Sequence, residues 1–241
     1  MKTKIIALCA AAFLVASCSI KEDRSACPGW LHLALSGRSV SIAGAFEARV
    51  SVNSCGRTYT LSLSADHPET WIQVGRGAVK MEAVLGNGAE RGQAWGGECD
   101  SLWADSSNFR VREDECFAEV QLHKRFATVW FSFDAEPDPD AGSLVVRSSD
   151  GFRCLLPLSG KEPSVRLPED AGDSVLELVC LDSDGGAALW NWDLGYALLA
   201  AGYDWGAKDL ADARVRVSLA PLSIAVDVLP WDGGGSIHLE I

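Results

Sequence analysis

The sequence predicts an all-β protein of antiparallel sandwiches. Short apolar and polar alternations recur along most of its length, turn residues separate them at short intervals, and stretches with a helical apolar period are scarce. The alternation is plainest at Leu31, Leu33 and Leu35, interleaved with His32 and Ala34, and at Tyr59, Leu61 and Leu63, interleaved with Thr60 and Ser62. Successive side chains of a strand point to opposite faces, so each such run offers one face to a core and one to water.

Further strands are expected, in chain order, over 46–52, 79–85, 116–122, 129–133, 144–146, 175–181, 215–219, 224–229 and 237–241, all rich in β-branched or aromatic residues. Trp231-Asp232-Gly233-Gly234-Gly235 is turn chemistry, which makes the last two of these a C-terminal hairpin. Leu194 to Ala201 is apolar enough for one short helix stopped by Gly202, and Ala207 to Ala211 for a single turn; both lie in one connection between strands. Phe126 differs in parity from Val129, Phe131 and Phe133. That predicts a bulge or bend near Ala127, with the last three pointing inward together. A chain of 241 residues suits one large or two small units, and the break is expected near Lys124, between a strand ending at Leu122 and one beginning at Phe126.

The start of the chain is an export signal. Lys2 and Lys4 precede an apolar run, Ile5 to Val15, too short to span a bilayer, and Val15-Ala16-Ser17-Cys18 is the layout of a bacterial lipoprotein cleavage site. Residues 1–17 are then discarded and Cys18 becomes the lipidated first residue, with 18–27 as an acidic linker. The acyl chains supply about 0.8 kcal/mol per buried methylene, enough for stable attachment without a spanning helix. The longest later apolar stretch, Ala187 to Tyr203, is broken by Asn191, Asp193, Gly195 and Gly202. The net charge is −12 in full, and the basic residues form no stripe, which excludes nucleic acid as a partner.

Cys27, Cys55, Cys99, Cys116, Cys154 and Cys180 remain beyond the signal and the lipid site. Outside the cytoplasm they can oxidise, with Cys154 and Cys180 the expected pair, or pack as buried thiols. No CxxC spacing points to zinc. The acidic loop from Asp134 to Gly142 has three aspartates and one glutamate that could bind calcium, but Pro137 and Pro139 suit a solvated turn better. Asp182-Ser183-Asp184-Gly185-Gly186 resembles the opening of a calcium loop but has Ala187 and Asp193 where the sixth-position Gly and twelfth-position Glu belong, so a hairpin turn is expected. His32, His67, His123 and His238 have no ligand spacing, and no nucleophile elbow or phosphate loop occurs; neither catalysis, a metal nor a cofactor is implied. The nine tryptophans allow two readings, a sugar-stacking platform or core and edge cover.

CSIKEDRSACPGWLHLALS from Cys18 to Ser36, ECDSLWA from Glu98 to Ala104, LHKRFATVWFSF from Leu122 to Phe133, LGYALLAAGYDWGAKDLADARVRVS from Leu194 to Ser218 and LPWDGG from Leu229 to Gly234 stand in a telling order. Together they resemble the fimbrillin-associated anchor proteins of Bacteroidales, outer-membrane lipoproteins that hold type V pili. Trp103 replaces the family's usual Tyr. The resemblance implies two transthyretin-like β-sandwich domains, 28–124 and 125–241, bridged by LHKRFATVWFSF. It implies a non-enzymatic role as well: anchoring the base of a fimbrium at the outer membrane and limiting its polymerisation, with a fimbrial structural subunit as partner. Lys21-Glu22-Asp23 is similar to acidic surface-export signals, or is simply a solvated linker. Strand complementation would supply the binding, since an open edge exposes unpaired N–H and C=O groups that a neighbour's strand can satisfy. The alternative class is a surface glycan-binding lipoprotein.

Overall fold

The computed structural model describes residues 28–44, 46–86, 102–134, 141–156, 163–182, 184–185, 187–219 and 222–231. Cys18, the linker, Cys27, Cys99, most of the 134–142 loop and the C-terminal hairpin strand at 237–241 lie outside them.

The strands are β1 (Gly29–Leu35), β2 (Ala48–Ser54), β3 (Arg57–Leu63), β4 (Glu69–Val74), β5 (Gly77–Leu85), β6 (Trp103–Val111), β7 (Glu115–Val120), β8 (His123–Lys124), β9 (Phe126–Phe133), β10 (Ala141–Ser148), β11 (Arg153–Leu156), β12 (Ser164–Pro168), β13 (Leu176–Asp182), β14 (Ala188–Asp193), β15 (Asp212–Leu219) and β16 (Leu222–Leu229). Among the described residues helix is confined to α1 (Gly37–Ala43), α2 (Leu194–Ala200) and a 3-10 turn at Glu169–Asp173. The protein is all-β, as its alternation predicts.

Among the described residues four sheets form two sandwiches. In the first, β4-β1-β7 faces β3-β2-β5-β6-β8; in the second, β11-β10-β13-β14 faces β12-β9-β15-β16. Leu31, Leu33 and Leu35 of β1 meet Val50 and Val52 of β2 and Met81 and Ala83 of β5 in one core. Val129 and Phe131 of β9, Leu144 and Val146 of β10, Leu178 of β13 and Val215 of β15 build the other. The sheets are not purely antiparallel. β1 pairs parallel with β7, and β9 parallel with β15. Parallel partners need long crossovers, and here each crossover is most of a sandwich, a non-local pairing that alternation cannot reveal.

β9 corrects the expected bulge. Its register with β12 runs from Phe126 to Trp130 without a shift. Phe126 is buried in the first core while Ala127, Val129 and Phe131 are buried in the second, with Phe133 packed at its margin. The change of parity therefore marks one regular strand whose two faces serve different cores.

The expected turn at Ala207 to Ala211 is also absent. Leu210 instead donates its backbone N–H to the Lys124 carbonyl at 3.0 Å, and Asp209 accepts from the Lys124 N–H at 2.9 Å. A helical turn would redirect the Leu210 N–H and lose the first of these bonds. The α2 helix forms as expected, with Asp193 Oδ1 accepting from the Tyr196 N–H at 2.7 Å, and the chain leaves it through Gly202 at φ 85°. The Asp182 turn is a hairpin, closed by the Asp182 N–H to the Ala187 carbonyl at 2.9 Å.

Cys154 and Cys180 are not bridged. They stand opposite Val146 and Leu144 on the two strands flanking β10, two strand spacings apart, or roughly 10 Å, beyond disulfide reach.

Polar side chains tie the two sandwiches together at Lys124. Its side chain is 2% exposed, forms an ion pair with Asp212, and lies over the Phe126 and Trp231 rings at 4.7 and 5.3 Å. Asp212 also accepts from the Thr128 N–H at 2.7 Å. Asp209 takes Arg38 through both carboxylate oxygens, at 2.9 and 3.0 Å, and His123 Nδ1 at 3.2 Å. Burial alone would raise the Asp209 carboxyl, but the Lys124 N–H, His123 and Arg38 outweigh it and hold its pKa below the ordinary value.

Candidate functional site

A protein that binds by strand pairing needs an edge with free backbone groups and an apolar lining that a visiting strand can cover. The second sandwich has two flanks, and they differ. On one, the edge strands are β11 and β12. Of their inward residues Leu156, Val165 and Leu167 are 0 to 2% exposed and Cys154 is half-buried, and β12 ends in Pro168. Proline lacks the donor a new ladder would use, so Pro168 blunts one end of that edge.

Among the described residues the opposite flank is open. Its edge strands are β14 and β16, which end their sheets among the described residues. The register places Trp190 opposite Cys180 and Trp192 opposite Leu178, so both indoles point inward. Ile224, Val226 and Val228 stand opposite Val217, Val215 and Ala213 and likewise point inward. The partners on β13 and β15 are 0 to 3% exposed. All five edge residues are only half-buried, although they pack against the same core. The flank is thus lined by apolar side chains whose coverage is incomplete.

Backbone chemistry agrees. β16 runs LSIAVDVL between Pro221 and Pro230 with no proline inside. β14 runs ALWNWD, with Asn191 and Asp193 on its outward side. The α2 helix buries Leu194 and Leu198 in this core just beyond the end of β14. Covering what is left exposed on each of these partly buried Ile, Val or Trp side chains would contribute on the order of 0.5 kcal/mol, a minor share of the full-burial value. Each new ladder bond adds about 1 kcal/mol net. Such a flank can therefore hold an extended strand by main-chain bonds, with side-chain pockets setting register.

Ile224, Val226 and Val228 were visible as an alternating strand, but their place at an open edge was not. The β14 strand was missed because the Asp182 loop and the apolar 187–203 stretch obscured its short alternation. The tryptophans divide between the two readings. Trp103 is 3% exposed and core, while Trp30 and Trp71 are 44 and 45% exposed. Among the described residues, no group of three His, Cys, Asp or Glu side chains could hold a metal ion, and no helix is long and apolar enough to cross a membrane.

No protein-family model matches the sequence, and no curated protein matches it. Solved structures do match. The fimbrial anchor protein Mfa2 from Porphyromonas gingivalis is 15% identical, superimposes with a TM-score of 0.56, and covers 85% of this chain and 98% of its own. A candidate polysaccharide-binding protein from Bacteroides thetaiotaomicron is 12% identical with a TM-score of 0.57, covering 86% of this chain and 100% of its own. A candidate adhesin from Bacteroides ovatus is 8% identical with a TM-score of 0.54, covering 79% and 89%. At these identities the likeness is one of fold, and it is the fold expected from the resemblance to the fimbrillin-associated anchor proteins.

Proposed function

We propose that this chain is an outer-membrane lipoprotein that holds the base of a fimbrium. Residues 1–17 direct export, Cys18 carries the lipid, and two transthyretin-like domains, 28–124 and 125–241, stand beyond a short linker at the cell surface. The partner is a fimbrial structural subunit whose extended strand pairs with the β14/β16 flank of the second sandwich. Its role is non-enzymatic. The observation that carries this reading is the contrast, among the described residues, between the packed β11/β12 flank, whose edge strand β12 ends in Pro168, and the β14/β16 flank, whose edge strands hold no proline and only partly cover the core. The fold shared with the fimbrial anchor Mfa2 supports it.

The physical consequence is a chain terminator. A subunit bound here is tethered through the lipid, and a lipidated end unit cannot diffuse away, so growth stops at the anchor. The test is site-specific photocrosslinking in cells that make the protein. A benzophenone amino acid at Val226 or Trp190 should crosslink to a fimbrial subunit, whereas one at Arg147, exposed on β10, should not. Equal labelling from all three positions, or labelling from Arg147 alone, would overturn the assignment of the flank. Attachment is checked separately: Cys18→Ala should abolish fatty-acid labelling and leave the folded body out of the membrane fraction.

A further inference from the structure

The outer face of the β4-β1-β7 sheet carries an aromatic cluster that strand pairing does not use. Because Leu31, Leu33 and Leu35 point into the core, Trp30 and His32 point out. The register sets Trp71 of β4 on one side of His32 and Phe117 of β7 on the other. The imidazole stacks on the Trp71 indole with centroids 4.5 Å apart and planes at 24°, and Phe117 meets both rings edge-on at 5.2 and 5.6 Å. His32 Nε2 lies 3.1 Å from Glu69 Oε2, which pins the central ring. Phe117 is 67% exposed and Trp71 45%. Singly exposed aromatics are ordinary, but rings that brace one another on a water-facing sheet form a patch.

We propose that this face binds neutral carbohydrate chains. A pyranose ring offers an apolar C–H face that packs on an aromatic ring, and hydroxyls that donate to carboxylates. Both features are present here. Beside the rings, on the same outward face, stand Glu69 on β4 and Glu115 and Glu119 on β7, and no Lys or Arg shares the outward positions of the three strands. Acceptors without cations favour neutral sugars and repel anionic ones. Size argues against a protein partner: two strand spacings by about five residues is on the order of 130 Å², against about 800 Å² on each side of a stable protein interface. One or two sugar rings fit that footprint. The mutual ring contacts fix the side chains before binding, so little freedom is lost when a sugar docks.

This surface is independent of the anchoring flank, and its test uses the mature chain. Cellohexaose, mannohexaose and xylohexaose, with a polygalacturonate oligomer as the anionic control, are titrated by calorimetry and tryptophan fluorescence. At least one neutral hexaose should bind saturably. Its affinity should fall tenfold or more in Trp71→Ala and in Phe117→Ala, fall less in Trp71→Phe, and stay unchanged in Lys80→Ala on the other sheet. Thermal melts establish that the variants fold, and Trp71→Phe preserves a ring should the alanine variant fail to do so. The proposal is overturned if no neutral hexaose binds, if binding survives loss of both aromatics, or if the anionic oligomer binds as tightly. It is equally overturned if the aromatic variants lose capture of a fimbrial subunit while no sugar binds, since the face would then be a protein contact.

Discussion

The Lys124–Asp212 pair gives the sharpest prediction about how the two sandwiches are held. Lys124 is 2% exposed and Asp212 16%, so removing one charge strands the other unequally. In Asp212→Asn the amide oxygen still accepts from the Thr128 N–H, and what is lost is the counter-charge to a buried ammonium. That ammonium still has the Leu210 carbonyl at 3.4 Å and the faces of Phe126 and Trp231, none of which carries a full negative charge. Breaking a buried pair costs about 3 to 5 kcal/mol. Asp212 keeps some contact with water, which places the expected loss near the lower figure, about 3 kcal/mol. Lys124→Met instead removes the buried charge and fills the space with an apolar chain, leaving an Asp that water and the Thr128 N–H can serve; the expected loss is about 1 kcal/mol. Urea unfolding, followed by tryptophan fluorescence and by far-UV circular dichroism to detect separate melting of the two cores, measures both. Equal losses, or a loss below about 1 kcal/mol in Asp212→Asn, would refute the reasoning.

Phe131 is fully buried, so Phe131→Ala should lower the stability of the second core by about 3 to 5 kcal/mol, read as a shift in urea midpoint. Because the Asp209 carboxyl is held below its ordinary pKa, it contributes stability at neutral pH that is lost as pH falls from about 4 through the folded value. Acid titrations of stability should therefore be flatter in Asp209→Asn than in the wild type. A Cβ on Gly172 would lie 2.5 Å from Cγ of Trp205, so Gly172→Ala should displace the indole and change its fluorescence, whereas Gly37→Ala, with nothing within 4 Å, should not. In a proline scan of Ile224 to Val228, the substitutions whose N–H faces away from β15 should abolish subunit binding with little loss of stability, and the alternate set should unfold the strand.

The alternation in β1, β2, β5 and β15 made those strands legible, because each has one face fully in a core. β6 was missed for the converse reason. Its inward positions include Asp105 and Ser107, half-buried residues in a strand that pairs with β8 only at Trp103 and Ala104. β4, β11, β12 and β14 are short edges with weak patterning, and α1 depends on a local cap, the Ser39 N–H donating to Ser36 Oγ at 3.1 Å. The open flank could not be read at all from periodicity. Ile224, Val226 and Val228 alternate like any buried strand; their half-exposure follows from which strands lie beside them. The parallel pairing of β9 with β15 decides that, and its contacts are more than eighty residues apart in sequence.

The central claim is that this chain holds fimbriae to the cell, and deletion of its gene in cells that carry no second anchor gene tests it most directly. Electron microscopy of the cells, with immunoblots of the medium, should find fimbriae released into the medium and altered in length while subunit synthesis continues, and Cys18→Ala should fail to restore attachment. Fimbriae of normal length still attached to the deleted cells would contradict the account.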